Sequence, residues 1–175
     1  MKIFLPDLYI ENFQRLNVDF LKQKKIKLLI CDIDNTLVPY DQIKPDEEVI
    51  TFINKIKAND IILVLISNNK TDRVKAFADG LDLAIYSMAH KPLKKAYLKV
   101  LQEHNLDKSM VAAIGDQLLT DVLGAKRCGI YAILAKPLVK RDINYTKINR
   151  FIEKFVYWIL TRFYGFDKGR FDEQV

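Results

Sequence analysis

Cysteine is nearly absent from this 175-residue chain. Cys31 and Cys128 are its only two, too few for a disulfide framework and without the paired spacing of a zinc site. Cys31 falls inside an apolar run, where a thiol behaves as a small hydrophobe, a usage that suits a reducing cytosol. Long hydrophobic runs are missing as well. No stretch reaches bilayer-spanning length, so an integral membrane protein is not expected. The opening Met1-Lys-Ile-Phe-Leu is cut by Pro6 and Asp7 before a signal-peptide core forms. A large excess of one charge is also lacking along most of the chain. The formal charge of +6 is concentrated at the ends: residues 1–27 carry six basic and three acidic side chains, and residues 136–175 carry nine and five. The span between has thirteen basic and fourteen acidic. Basic flanks around a neutral centre are compatible with an anionic partner, and equally with a solvated, solubilising exterior.

What is present is one well-buried domain's worth of chain, organised around Lys27-Leu-Leu-Ile-Cys-Asp-Ile-Asp-Asn-Thr-Leu-Val38. The apolar run reads as a strand buried on both faces. It ends in two carboxylates, Asp32 and Asp34, which folding alone does not require. In an open parallel α/β sheet, ligands bind beyond the carboxyl ends of the strands, so these acids stand where chemistry is done. A close ionised pair repels itself unless a cation neutralises it, and hard oxygen ligands suit Mg2+.

The rest of the pattern supplies that sheet. Residues 1–25 mix apolar and charged positions and read as a partly helical amphipathic lead-in. A helix follows from Pro45 to about Asn59, with acids in its first turn. Strands are expected at 61–66, 83–86, 110–114 and 130–134. Helices are expected at 71–79, from Pro92 onward, and at 118–127, the first and last closed by Gly80 and Gly129. Alternating strands and helices call for a parallel sheet with right-handed crossovers. Asp32, Asp34, Ser67, Lys91 and Asp116 then fall beyond successive strand ends on one edge.

Three acids, a hydroxyl and a lysine suit metal-assisted phosphoryl transfer. Asp32 would be the nucleophile, giving an aspartyl phosphate. Asp34 lies about 6 to 7 Å further on in an extended chain; with a turn there, it would protonate the leaving oxygen and later deprotonate water. Ser67, with neighbouring backbone amides, would bind the phosphoryl group. Lys91 supplies a point charge, Asp116 completes the metal shell, and Asp121 would hold a metal-bound water from behind it. Each residue alone has a plainer explanation: a turn for the acid pair, a helix cap for Ser67 or Asp116, a solvated surface for Lys91. Their register on successive strands is what favours a site.

These residues resemble the haloacid dehalogenase superfamily of phosphatases. Asp32-Ile-Asp-Asn-Thr36 is similar to the first motif, Ser67 to the second, Lys91 to the third, and Gly115-Asp-Gln-Leu-Leu-Thr-Asp121 to the fourth. The resemblance covers roughly residues 26–136. It is nearest to subfamily IIIA and its YqeG-type group, through Ser-Asn-Asn and His-Lys-Pro in addition, and that group is similar to mitochondrial phosphatases acting on phosphatidylglycerophosphate. It implies a single-domain Rossmann-like α/β fold with parallel strands in the order 5-4-1-2-3 and helices on both faces. It further implies Mg2+ held by Asp32, the Asp34 main-chain carbonyl and Asp116, phosphate contacts from Ser67, Asn68 and Lys91, and Thr36 and Asp121 as supporting groups. Relatives specialised for heptose phosphates carry a zinc loop of cysteines, absent here.

Neither insertion point, Asp34 to Ile61 or Ser67 to Lys91, has room for a cap domain. The site should lie open unless a homo-oligomer supplies a lid, and a phosphate on a bulky carrier is admissible. Residues 137–175 read as a basic amphipathic helix and tail. Ile148, Phe151, Ile152, Phe155, Val156, Ile159 and Phe163 recur at helical spacing, with Lys147, Arg150 and Lys154 on the other side and a frayed tail after Gly165. Such a helix either packs on the core or lies in a membrane interface. The expectation is a cytoplasmic Mg2+-dependent phosphomonoester hydrolase, peripheral at the inner face of the membrane, acting on phosphatidylglycerophosphate, with no specific nucleic-acid binding. The alternatives are a phosphatase for a nucleic-acid phosphate end or soluble metabolite, and a non-hydrolytic phosphoacceptor or binding module.

Overall fold

The computed structural model describes residues 2–139 and 147–174. The side chains of residues 147–151, among them Lys147, Ile148, Arg150 and Phe151 of the expected terminal helix, lie outside the described residues.

Six parallel strands form one sheet: β1 (Leu8–Ile10), β2 (Leu28–Cys31), β3 (Ile62–Ile66), β4 (Ala84–Tyr86), β5 (Val111–Gly115) and β6 (Tyr131–Ala135), in the order β1-β6-β5-β2-β3-β4. The helices are α1 (Val18–Gln23), α2 (Glu47–Lys57), α3 (Thr71–Ala78), α4 (Lys94–Glu103), α5 (Leu123–Cys128) and α6 (Lys147–Tyr164). Strand β2 is central because its side chains are apolar on both faces. Leu29 and Cys31 enter one core, with Phe52, Ile53 and Ile56 of α2 and Phe77 of α3. Leu28 and Ile30 enter the other, with Tyr97 of α4, Ala125 of α5 and Val156 and Leu160 of α6. This alternation is the period-two geometry of a strand covered by helices on both sides. Local signals fix the boundaries. Asp46 Oδ1 accepts from Val49 N at 2.9 Å, so this residue caps α2 rather than lying in its first turn. Gly129, in the left-handed region at φ 72°, ends α5.

The expected order of five strands holds as β6-β5-β2-β3-β4, with β1 added at the β6 edge. This strand lies in the stretch expected as a lead-in, between short 3-10 turns at Lys2–Phe4 and Phe13–Arg15 and ahead of α1. Three residues are too short for strand periodicity to show, yet Leu8, Tyr9 and Ile10 are all buried.

The tail after Gly165 also differs from its expectation. Phe166 and Phe171 pack on the Tyr9 ring, with centroids 5.3 and 5.0 Å away. Asp172 N donates to Tyr9 O at 2.9 Å, and Tyr9 N donates to Asp172 Oδ2 at 2.7 Å. One buried and one half-buried ring outweigh the polarity of the residues around them. Helix α6 is partnered on one side only: Val156 and Leu160 are buried, whereas Phe155, Trp158 and Phe163 are exposed. Among the described residues, no helix is long and apolar enough to cross a membrane.

Leu160→Ala should therefore cost about 2–5 kcal/mol in urea unfolding followed by circular dichroism. Trp158→Ser, on the opposite face, should stay within about 0.5 kcal/mol of the parent.

Candidate active site

Because every strand is parallel, all their carboxyl ends share one edge. Asp32 follows β2, Ser67 follows β3, Asp116 follows β5, and Lys91 reaches the same edge from the loop between β4 and α4. All four are buried, with relative exposures of 6, 1, 4 and 7 %. Lys91 Nζ donates to Asp32 Oδ1 at 2.5 Å and to Asp121 Oδ1 at 2.6 Å. Thr36 Oγ1 donates to Asp32 Oδ2 at 2.9 Å.

Backbone geometry around Asp121 explains its arrival. The segment Leu118–Val122 is a π-helical turn rather than the start of a regular α-helix, an arrangement often found at functional sites. Asp121 Oδ2 accepts from Gln117 N at 3.2 Å and from Thr120 Oγ1 at 3.1 Å. A Cβ at Gly115 would stand 2.3 Å from Asp121 Cγ, so a side chain there and this carboxylate exclude each other.

Asp34 turns elsewhere. Its Oδ1 accepts from Arg73 Nε at 3.0 Å and from Arg73 Nη2, and its Oδ2 accepts from Asn69 Nδ2 at 2.7 Å and Ser67 Oγ at 3.4 Å. Asn35, at φ 65°, makes the turn that separates the two acids. Asn68 has its side chain on the main chain of Lys91: Oδ1 accepts from Lys91 N at 2.7 Å and Nδ2 donates to Lys91 O at 3.2 Å. It thus positions the lysine, and its amide is occupied where a phosphate contact was expected. Arg73 and Glu153 were not singled out in the sequence. Arg73 sits in the first turn of α3, and an arginine facing the first motif's second acid leaves no spacing signal. Glu153 is the single carboxylate of α6 and accepts from Leu118 N at 2.8 Å. Its burial beside the loop after Asp116 raises its pKa, which the two backbone donors partly offset.

The charges interact in a buried cluster. Burial pushes the Asp32 carboxyl up to about 7; Asp121 and Asp34 add to the effect, and Lys91 opposes it. Burial, then Asp32 and Asp121, hold Asp116 well above the ordinary carboxylate range. Burial works against the Lys91 ammonium, but Asp121 and Asp32 more than compensate and raise its pKa.

Oxygen atoms of Asp32, Asp116 and Asp121 lie within 4.8 Å of one another. Three carboxylates against one ammonium leave two negative charges, which a divalent cation balances. Asp116 Oδ1 is buried and has no hydrogen-bond partner, the state of a ligand atom rather than of a structural acceptor. Hard oxygen donors suit a cation such as Mg2+. The residues present therefore fit one, with Asp116 and Asp32 offering the oxygens that the lysine does not saturate.

The raised carboxyl pKa values have a definite sign. Protonation favours the folded, metal-free protein, so the stability Asp32 contributes is complete below about pH 4 and lost as pH rises through about 7, and Asp116 acts in the same direction. A divalent cation replaces those protons. Adding Mg2+ should raise Tm strongly at pH 8 and little at pH 5, reaching about 2.7 kcal/mol at one hundred times Kd. Asp116→Asn should abolish most of the pH 8 gain in the same thermal scans.

Residues 7–129 match the family model described as haloacid dehalogenase-like hydrolase. The chain is 36% identical over 161 residues to the probable phosphatase YqeG of Bacillus subtilis, covering 92% of this chain and 94% of that one. Among solved structures, the D,D-heptose 1,7-bisphosphate phosphatase of B. bronchiseptica, complexed with magnesium and phosphate, is 21% identical with a TM-score of 0.53, over 62% of this chain and 80% of that one. The cobalt-bound deoxy-D-mannose-octulosonate 8-phosphate phosphatase of Haemophilus influenzae is 14% identical with a TM-score of 0.54, over 66% and 81%. At those identities the two structures speak for the fold alone, whereas the family match and the Bacillus relative span most of the sequence. The chain belongs to the haloacid dehalogenase-like hydrolases.

Proposed function

We propose that this hydrolase is a Mg2+-dependent phosphomonoesterase that works through an aspartyl phosphate on Asp32. The observation that carries this reading is the buried Lys91 ammonium shared between Asp32 and Asp121, beside an Asp116 oxygen with no partner of its own. The Bacillus relative is named as a probable phosphatase, and the heptose enzyme's structure holds magnesium and phosphate.

Asp32 attacks phosphorus as the ester oxygen leaves, forming an acyl phosphate. Thr36 and Lys91 each bind one of its carboxylate oxygens, which fixes the plane of attack. Asp34 gives the departing oxygen its proton, then takes one from the water that attacks phosphorus and regenerates Asp32. Arg73, Asn69 and Ser67 hold the Asp34 carboxylate in the closed arrangement seen here, and release from Arg73 frees it to act. Ser67 and Lys91 bind the phosphoryl oxygens. When bound, Mg2+ neutralises the charge gathered on these oxygens and on the carboxylates.

For substrate, the reading is a phosphate borne on a bulky carrier, with phosphatidylglycerophosphate foremost. Only α2 and its loop separate Asp34 from β3, and only α3 and β4 separate Ser67 from Lys91, so no cap domain is inserted at either point. The resemblance to phosphatases of that lipid supports the same choice, as does a terminal helix with an exposed aromatic side.

Hydrolysis of an aryl phosphate should require Mg2+ and vanish in Asp32→Asn, with no phosphoenzyme trapped on acid quench. Asp34→Asn should lower kcat by about 100- to 10,000-fold. Metal-dependent turnover that survives Asp32→Asn in pure protein would disprove the mechanism. Phosphate release from phosphatidylglycerophosphate in mixed micelles, compared with nucleotides and sugar phosphates, tests the substrate.

A further inference from the structure

Helix α6 carries two apolar faces, and the core accounts for one. Val156 and Leu160 are almost fully buried, at 4 and 0 % exposure. On the other side Phe155, Trp158 and Phe163 are 57, 58 and 65 % exposed. These three form a continuous aromatic surface: Phe155 stacks on Trp158 with centroids 6.1 Å apart, and Phe163 meets Trp158 edge-on at 6.2 Å. Arg162 lies over the Phe163 ring at 5.6 Å. Isolated exposed aromatics are ordinary, but an ordered cluster of three is not.

Charge identifies what covers it. The helix contains four basic residues and one acid, Glu153. That acid is turned inward to the Leu118 and Leu119 amides, which leaves Lys154 and Arg162 exposed beside the aromatics with no carboxylate of this helix among them. Tryptophan and phenylalanine with adjoining basic side chains match the boundary between the acyl chains and headgroups of an anionic bilayer. A second copy of this chain fits poorly, since a twofold contact through this face brings the basic pair of one copy, Lys154 and Arg162, up to that of the other.

We infer that the Phe155–Trp158–Phe163 face of α6 docks on an anionic phospholipid surface. The same helix holds the loop after Asp116 through Glu153, so docking would also tether the catalytic edge to the bound surface. Only that use of the contact rests on the proposed lipid substrate; the docking itself does not.

Trp158 is the single tryptophan, so its fluorescence reports on this face alone. Vesicles of equal parts phosphatidylcholine and phosphatidylglycerol should shift its emission to shorter wavelength and carry the protein down on sedimentation; phosphatidylcholine vesicles should do far less. Phe155→Ser with Phe163→Ser should weaken partitioning roughly tenfold or more, and Lys154→Gln with Arg162→Gln by about fivefold per charge. Both double variants should hydrolyse a soluble aryl phosphate like the parent. No shift and no co-sedimentation with the anionic vesicles overturns the inference, as does a dimer by light scattering that the two serine substitutions dissociate. A retained shift in protein without phosphatase activity upholds the docking and removes the phosphatase reading.

Discussion

One buried ammonium, that of Lys91, is the group on which the rest of the site depends. It stands between Asp32 and Asp121, in a place where desolvation penalises each charged partner. Removing such a charge leaves its partners buried and unmatched, which costs more than the pair itself contributes. Several features follow from the need to bring these groups together: the Asn68 clamp on the Lys91 backbone, the π-helical turn that swings Asp121 inward, and the bare Cα of Gly115 that makes room for it. The surplus of negative charge that remains is the opening for a cation.

The site is fixed from the sheet outward, and α6 belongs to that frame. Its Glu153 accepts from amides that begin the turn after Asp116, groups that a regular α-helix would leave without partners at its start. A helix distant in sequence thereby supports the backbone that presents Asp116 and Asp121. The turn that presents Asp116 and Asp121 and the helix that presents Trp158 are joined through this one carboxylate.

Much of this was legible in the chain because buried parallel strands write themselves as apolar runs. Val111–Gly115 and Ile62–Ile66 are such runs, and the polar residue that breaks each of them marks the functional edge. Lys91 was legible through the loop it occupies between a strand and a helix. What escaped had no periodic or positional sign. Strand β1 is three residues long, and its neighbour along the chain is helical. Arg73 differs from its solvated neighbours on α3 only through a contact with a residue 39 positions away. The tail looked unstructured because Asp167, Lys168 and Arg170 outnumber the two phenylalanines that anchor it. Asn68 carries no sign in the sequence of its bonds to the Lys91 main chain, because they join residues 23 positions apart.

The pairing of β1 with residues near the other end of the chain has a temporal consequence. Tyr9 emerges from a ribosome early, yet its strand partner Leu134 and its ring partners Phe166 and Phe171 are made last. Until then β1 has no strand to pair with and the tyrosine ring has nothing to rest against. At roughly 5–20 residues per second, the wait from Tyr9 to Phe171 is on the order of ten to thirty seconds, so the newborn chain must traverse translation with an unsealed border that chaperones are suited to guard.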